Sequence, residues 1–323
     1  MNSRERFAAY LDGYPVDRLP RIESKFAEDA VSLWRSQGYL DDRSPEIFFE
    51  LDLHESVPVF LRKFQKPVNP EEIWENPERW YQVEDPRRFP EDWNEWVVKS
   101  STREHLVSFE PWHEGMFQVL GIRNASSFVK VLSLLLDDPR RVEHVLEVYV
   151  SYIEEMIGRI CKEVDPDYAV LYEPIASNRA PVISPKMARR YLAHCYRRVC
   201  DRLEHYHIQH RFVWSSGRIL SLLPLWLDSG INGLFVDQAC CAGVDYIGVR
   251  KIYGTRLALL GGIDNTTLRQ SDESVFRELE RKVPPLLDSG RYLPGLDDTV
   301  RKDIPFHRFL KYREHLNRLV ESG

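Results

Sequence analysis

The sequence lacks most of the marks that assign a protein quickly. It has no surplus of basic charge. The formal net charge is −6, which excludes the electrostatic footprint of a nucleic-acid binder. No apolar run is long enough to span a bilayer. The amino terminus, Met1-Asn-Ser-Arg-Glu-Arg-Phe7, lacks a signal-peptide core, so the expected compartment is the cytoplasm. The five cysteines (Cys161, Cys195, Cys200, Cys240 and Cys241) form no CxxC pair and no even framework. Free thiols in a reducing compartment are expected. No GxGxxG or GxxxxGK follows a strand-like run, so nucleotide folds lack their phosphate loop. No Ser-His-acid order stands out. His205, His207 and His210 precede the Arg211 run, at the wrong end of a strand for a barrel site.

What is present is a repeating unit. Arg211-Phe-Val-Trp-Ser-Ser-Gly217, Gly233-Leu-Phe-Val-Asp237 and Leu257-Ala-Leu-Leu-Gly-Gly-Ile-Asp264 are apolar runs with polar exits, each followed by a helical pattern. Runs without alternation suit strands buried on both faces of a parallel sheet. Helical periodicity covers Arg4 to Gly13, Glu28 to Gln37, Asn124 to Val164 and Ile304 to Val320. Ser184-Pro185 opens another helix as N-cap and first residue. Asp42 to Val68 is ambiguous, and Pro58 demotes Ser56 to Leu61 to an edge or bulge. Pro67 to Pro111 carries Trp74, Trp80, Trp93 and Trp96 and reads as a cover over one end. Strand candidates lie near Arg21, Val59, Val107, Val170, Val213, Phe235, Leu259 and Leu293. With right-handed crossovers they close one (β/α)8 TIM barrel over 1–323, with an N-terminal helical and Trp/Pro-rich covering segment. A doubly wound open sheet is the alternative.

In a barrel, polar residues at strand exits gather at the carboxyl mouth. These are Glu23, Glu110, Glu173, Ser215, Ser216, Asp237, Asp264, Asp297 and Asp298. Converging carboxylates raise one another's pKa, which suits general acid–base work. The candidate catalytic residues are Glu173, Asp237, Asp264 and Asp298. Candidate substrate contacts are Glu23, Glu110, Ser215, Ser216, Arg218 and the aromatic platforms Trp112 and Trp214. The plain alternative is that these carboxylates cap helices or pair with arginines such as Arg179 and Arg218. The excess of acid over Lys25, Arg179 and Arg218 predicts a negative mouth that favours neutral or cationic ligands. No metal ligand set is expected, because the cysteines and histidines do not converge.

The order of segments resembles the uroporphyrinogen decarboxylase superfamily, which includes corrinoid-linked methyltransferases. The pieces are Arg4-Glu-Arg-Phe7 with Asp17-Arg-Leu-Pro20, Leu171-Tyr-Glu173 with Val182-Ile-Ser-Pro185, and Trp226-Leu-Asp-Ser-Gly-Ile-Asn232. Leu260-Gly-Gly-Ile-Asp264, Tyr292-Leu-Pro294 and Asp303-Ile-Pro-Phe306 complete the set. The resemblance implies a single TIM barrel with its site at the carboxyl face. Two departures shape the expectation. Where the decarboxylases carry an arginine-rich segment, this chain reads Ile22-Glu-Ser-Lys-Phe-Ala-Glu28. At the zinc motif of the methyltransferases, Trp214 stands in the histidine position and Ser216 in the cysteine position. The resemblance then implies an enzyme closer to the methyltransferases. It would move a methyl group from an O- or N-methyl donor without the family's zinc or any tightly bound cofactor, with a corrinoid supplied by a partner protein. A carboxy-lyase and a catalytically silent ligand-binding barrel are the alternatives.

Overall fold

A computed structural model describes residues 1–39, 42–65, 67 and 69–321. Val68, where the ambiguous stretch ends, lies outside them. Seven strands run in chain order across one parallel sheet: β1 His54–Ser56, β2 Leu106–Phe109, β3 Tyr168–Tyr172, β4 Arg211–Ser216, β5 Gly233–Asp237, β6 Ala258–Leu260 and β7 Tyr292–Leu293. Helices alternate with strands, and the sheet curls in the manner of a TIM barrel. β1 stops two residues before Pro58, whose missing N–H cannot extend the ladder.

The candidate strand near Arg21 is not a strand. Residues 21–27 run extended across the seam between β1 and the chain after β7, held at separate points. Asp52 N–H donates to Arg21 O at 2.8 Å, Val300 N–H to Lys25 O at 2.8 Å and Ala27 N–H to Val300 O at 2.9 Å. Between these points the Glu23 side chain accepts from Leu296 N–H at 2.8 Å. A carboxylate thus satisfies a donor that a backbone ladder would have taken.

Strand parity divides the core. Val107, Leu171, Val213, Leu234, Val236 and Leu259 face the helices. Leu106, Tyr168, Phe212, Ala258 and Leu293 face inward and meet Phe7 and Leu11 of the helix Ser3–Leu11. That helix plugs the amino end of the barrel, and burying its two apolar side chains contributes about 2 kcal/mol each. With one end plugged, only the carboxyl end of the lumen is open. The tryptophans of the cover are packing residues. Trp93 and Trp96 stack at 5.6 Å, and the Trp74 indole N–H donates to Leu120 O at 2.9 Å.

Candidate functional site

Above the plug, the lumen keeps a cavity of about 110 Å³. Its wall is built by alternate residues of successive strands: His54 and Ser56 of β1, Ser108 of β2, Tyr168, Val170 and Tyr172 of β3, Trp214 of β4, Phe235 of β5 and Leu260 of β6. Tyr172 pairs with Trp214 in the ladder, and their rings tilt together at 4.8 Å between centroids. Gly261, at φ +79°, brings the chain past the Phe235 ring, where a Cβ would stand 3.0 Å away.

One step further out, two residues beyond Phe235, Asp237 lies opposite Ser216 in the β4–β5 ladder. Its carboxyl is pushed up to about 7, by burial first, then by the charge and hydrogen bond of Asp298; Asp297 adds to this and Arg301 opposes it. Asp298 is held in place by Thr299 N–H at 2.7 Å, Gln238 Nε2 at 3.3 Å and Arg301 Nη2 at 3.5 Å. Gln238 itself sits at φ +52°, a conformation non-glycine residues rarely adopt. The β5 exit is bent sharply where the two carboxyls meet.

The other candidates have different places. Glu173 does not open onto the cavity. It follows Tyr172 and so faces the helices, where it is fully buried. It accepts from the Tyr196 hydroxyl at 2.7 Å, Met116 N–H at 3.0 Å and the Trp112 indole at 3.1 Å. Burial lifts its pKa to about 7 while these donors pull it back. Trp112 is fully buried against Tyr149 and Tyr196, so it offers no platform to a ligand. Ser215 also points away from the lumen and donates to Glu173 O at 2.6 Å. Glu23 borders the cavity, but both its oxygens are taken, by Leu296 N–H and by Tyr312 and Arg313 at 2.8 and 3.2 Å. Asp264 caps the turn Asn265–Arg269 through Thr266 N–H at 2.9 Å and is not a lumen residue. Arg218 is exposed and lines no part of the cavity. Glu110 does line it. Burial would raise this carboxyl, but His113 Nδ1 at 3.0 Å, Ser56 and Lys25 outweigh that and hold it low.

Most of the acid expected at the mouth is held by fixed donors: Glu23, Glu110, Glu173, Asp264 and Asp297 all accept hydrogen bonds within the fold, and the Asp237–Asp298 pair remains. The lumen residues missed in the sequence, His54, Ser108, Tyr168 and Tyr172, share strand parity with Trp214 or with Glu110. That signal was readable only once the faces of each apolar run were told apart.

Among the described residues, Cys240, Asp264 and Asp297 bring one ligand atom each within 4.8 Å of one another and could hold a metal ion. A cation stands beside them, and its ion-pair partner is Glu278. The buried Lys282 ammonium lies 3.0 Å from Cys240 Sγ and 2.6 Å from Gly262 O. Asp297 accepts from Cys240 N–H and Asn265 N–H, both at 3.0 Å. Burial pushes the Cys240 thiol up to about 12 despite Lys282.

The sequence profile for uroporphyrinogen decarboxylase matches residues 119–293, more than half of the chain. The chain belongs to this family. No curated protein sequence matches it. Among solved structures it resembles a methyltransferase from Methanosarcina mazei at TM-score 0.61 and 14% identity, covering 100% of this chain and 99% of that one. A protein described as a vitamin-B12-independent methionine synthase from Listeria monocytogenes aligns at TM-score 0.43 and 9% identity, over 95% and 98% of the two chains. The first likeness supports the barrel architecture. At the positions where the resemblance places the zinc ligands of the methyltransferases, Trp214 and Ser216 offer an indole and a hydroxyl instead of soft ligands.

Proposed function

We propose that this family member transfers a methyl group from a small O- or N-methyl compound bound in the barrel mouth. The observation that carries the reading is the placement of Asp237 beside Asp298 at the carboxyl rim of an aromatic-walled lumen. Burial and the second carboxyl push its pKa up to about 7, which suits a general acid. The acceptor attacks the methyl carbon, the C–O or C–N bond breaks, and the Asp237 proton goes to the departing oxygen or nitrogen. Trp214 and Tyr172 flank the methylated group. By family analogy the acceptor is a reduced corrinoid on a partner protein.

The test is incubation of the protein with a reduced corrinoid and panels of methoxylated aromatics and methylamines, following methyl-corrinoid formation by absorbance. Demethylated product from one panel supports the proposal. Uroporphyrinogen serves as the counter-substrate, and its decarboxylation at an ordinary enzymatic rate would overturn the reading.

A further inference from the structure

The wall beside Tyr172 carries charge opposite to the acid pair. A second cavity of about 620 Å³ opens there, between the chain after β1 and the chain after β2. The two cavities share Tyr172, and the Glu110–His113 pair joins their walls. Arg62, Lys63, His113 and Arg123 line the outer one, and Glu114 is the only carboxylate among its lining residues. Lys63 neutralises Glu114, with Nζ 2.8 Å from Oε2, and also takes the Tyr81 hydroxyl at 2.8 Å. His113 is occupied by Glu110. Arg62 and Arg123 are exposed, and among the described residues neither has a carboxylate within ion-pair distance. Arg123 donates to the backbone oxygen of Pro67, which fixes it without cancelling its charge. The Arg62 charge reaches Tyr172: burial and Glu110 push that phenol up to about 12, and Arg62 pulls against them.

The lumen cavity alone falls below the roughly 300–1,000 Å³ usual for sites that hold drug-sized ligands. A substrate of that size would extend into the outer cavity, where two guanidinium groups without carboxylate partners among the described residues offer the donors that a carboxylate or phosphate takes. We propose that the substrate carries an anionic oxygen group, held by Arg62 and Arg123 in the outer cavity while its methylated end enters the lumen. This rests on the methyl-transfer reading of the lumen and adds the substrate's charge and orientation to it.

The experiment is calorimetric titration with 4-methoxybenzoate, 4-methoxyphenyl phosphate and the neutral 4-methoxybenzamide, without acceptor. At least one anion should bind about tenfold more tightly than the amide, the size expected of a charge-assisted pair. Its advantage should shrink with added salt. The better anion identifies the group as carboxylate or phosphate. The double variant Arg62→Gln, Arg123→Gln should abolish the preference and leave amide binding unchanged. Both side chains are exposed, so a thermal unfolding curve should match the parent's. An amide that binds as tightly as both anions overturns the proposal. So does a double variant that keeps the preference, or the failure of all three probes to bind. If the anion preference stands but no methyl reaches a corrinoid, the methyl-transfer reading fails alone. If the amide is demethylated as fast as the anions, this inference fails alone.

Discussion

Glu173 follows β3 and Asp237 ends β5 of the same sheet, and burial pushes both carboxyls up to about 7. They nevertheless do different things. Glu173 looks toward the helices and accepts three hydrogen bonds from Trp112, Met116 and Tyr196. Asp237 looks across the lumen rim, and its elevation depends on a second carboxyl, Asp298. A displaced pKa therefore marks desolvation, which a structural knot and a reactive acid share. What separates them is the partner set. Fixed donors occupy the Glu173 carboxyl, whereas Asp237 is half-buried at the rim and is raised by burial and by a second carboxyl instead of being held by such donors.

The largest effect that would break this comparison lies at Glu173. Glu173→Ala leaves three buried donors without an acceptor and opens a void, a loss of about 3–5 kcal/mol in unfolding free energy. Urea unfolding at pH 7 measures it. A loss below about 1 kcal/mol would show that the donors find other partners and that the knot is not structural.

Next in size is the effect of Asp237→Asn on turnover. Removing a general acid costs about 10²-fold or more in rate, while methylated-substrate affinity should stay within about threefold. In the parent, the acid form is present below about pH 7. Turnover should therefore fall as pH rises through that value, and the variant should lose this limb. Unchanged turnover would place Asp237 beside Glu173 as a structural group.

Glu23 provides an intermediate case at the seam. Glu23→Gln keeps the shape but removes the charge that Arg313 and Tyr312 share. The expected cost is about 2 kcal/mol, read by the same unfolding assay, with substrate affinity unchanged. A variant that folds as stably as the parent but loses affinity would return Glu23 to the binding site.

Most of the barrel was legible because long apolar runs with acidic or serine exits leave few other folds. The runs at 167–173, 211–217 and 233–237 all became strands. The eighth did not. Residues 21–27 cross the seam under the control of Glu23, a tertiary partnership with Leu296 and Arg313 that no local pattern contains. The site was half legible for a related reason. In Tyr172-Glu173 the sequence singles out the acid and leaves the tyrosine unremarked, yet one residue of parity reverses their faces. Both residues sit in an unbroken apolar run, which hides parity until the ladder with Trp214 fixes it. The basic outer cavity was invisible, because Arg62 and Arg123 come from separate crossovers and meet only in the fold.

The smallest effect sharpens the comparison through pH. Asp237 has a folded-state pKa near 7 against about 4 in an unfolded chain. Between those values the folded protein binds the proton and the unfolded chain does not. Stability of the parent must then fall as pH rises across this window. Glu173 adds a term of the same sign, and the lowered pKa of His54 adds one of opposite sign. The parent's slope alone is therefore uninformative, and the quantity to read is variant minus parent. Asp237→Asn removes only the Asp237 term. The variant should match the parent near pH 3, below both values, and exceed it by about 1 kcal/mol at pH 8, after discounting for the partial exposure of the rim. Asp298→Asn should give a similar gain at pH 8, since it removes the charge that raises Asp237. A variant less stable than the parent at pH 8 would mean that the ionised Asp237 carboxylate has a partner in the fold, and the proton would no longer be held there for chemistry.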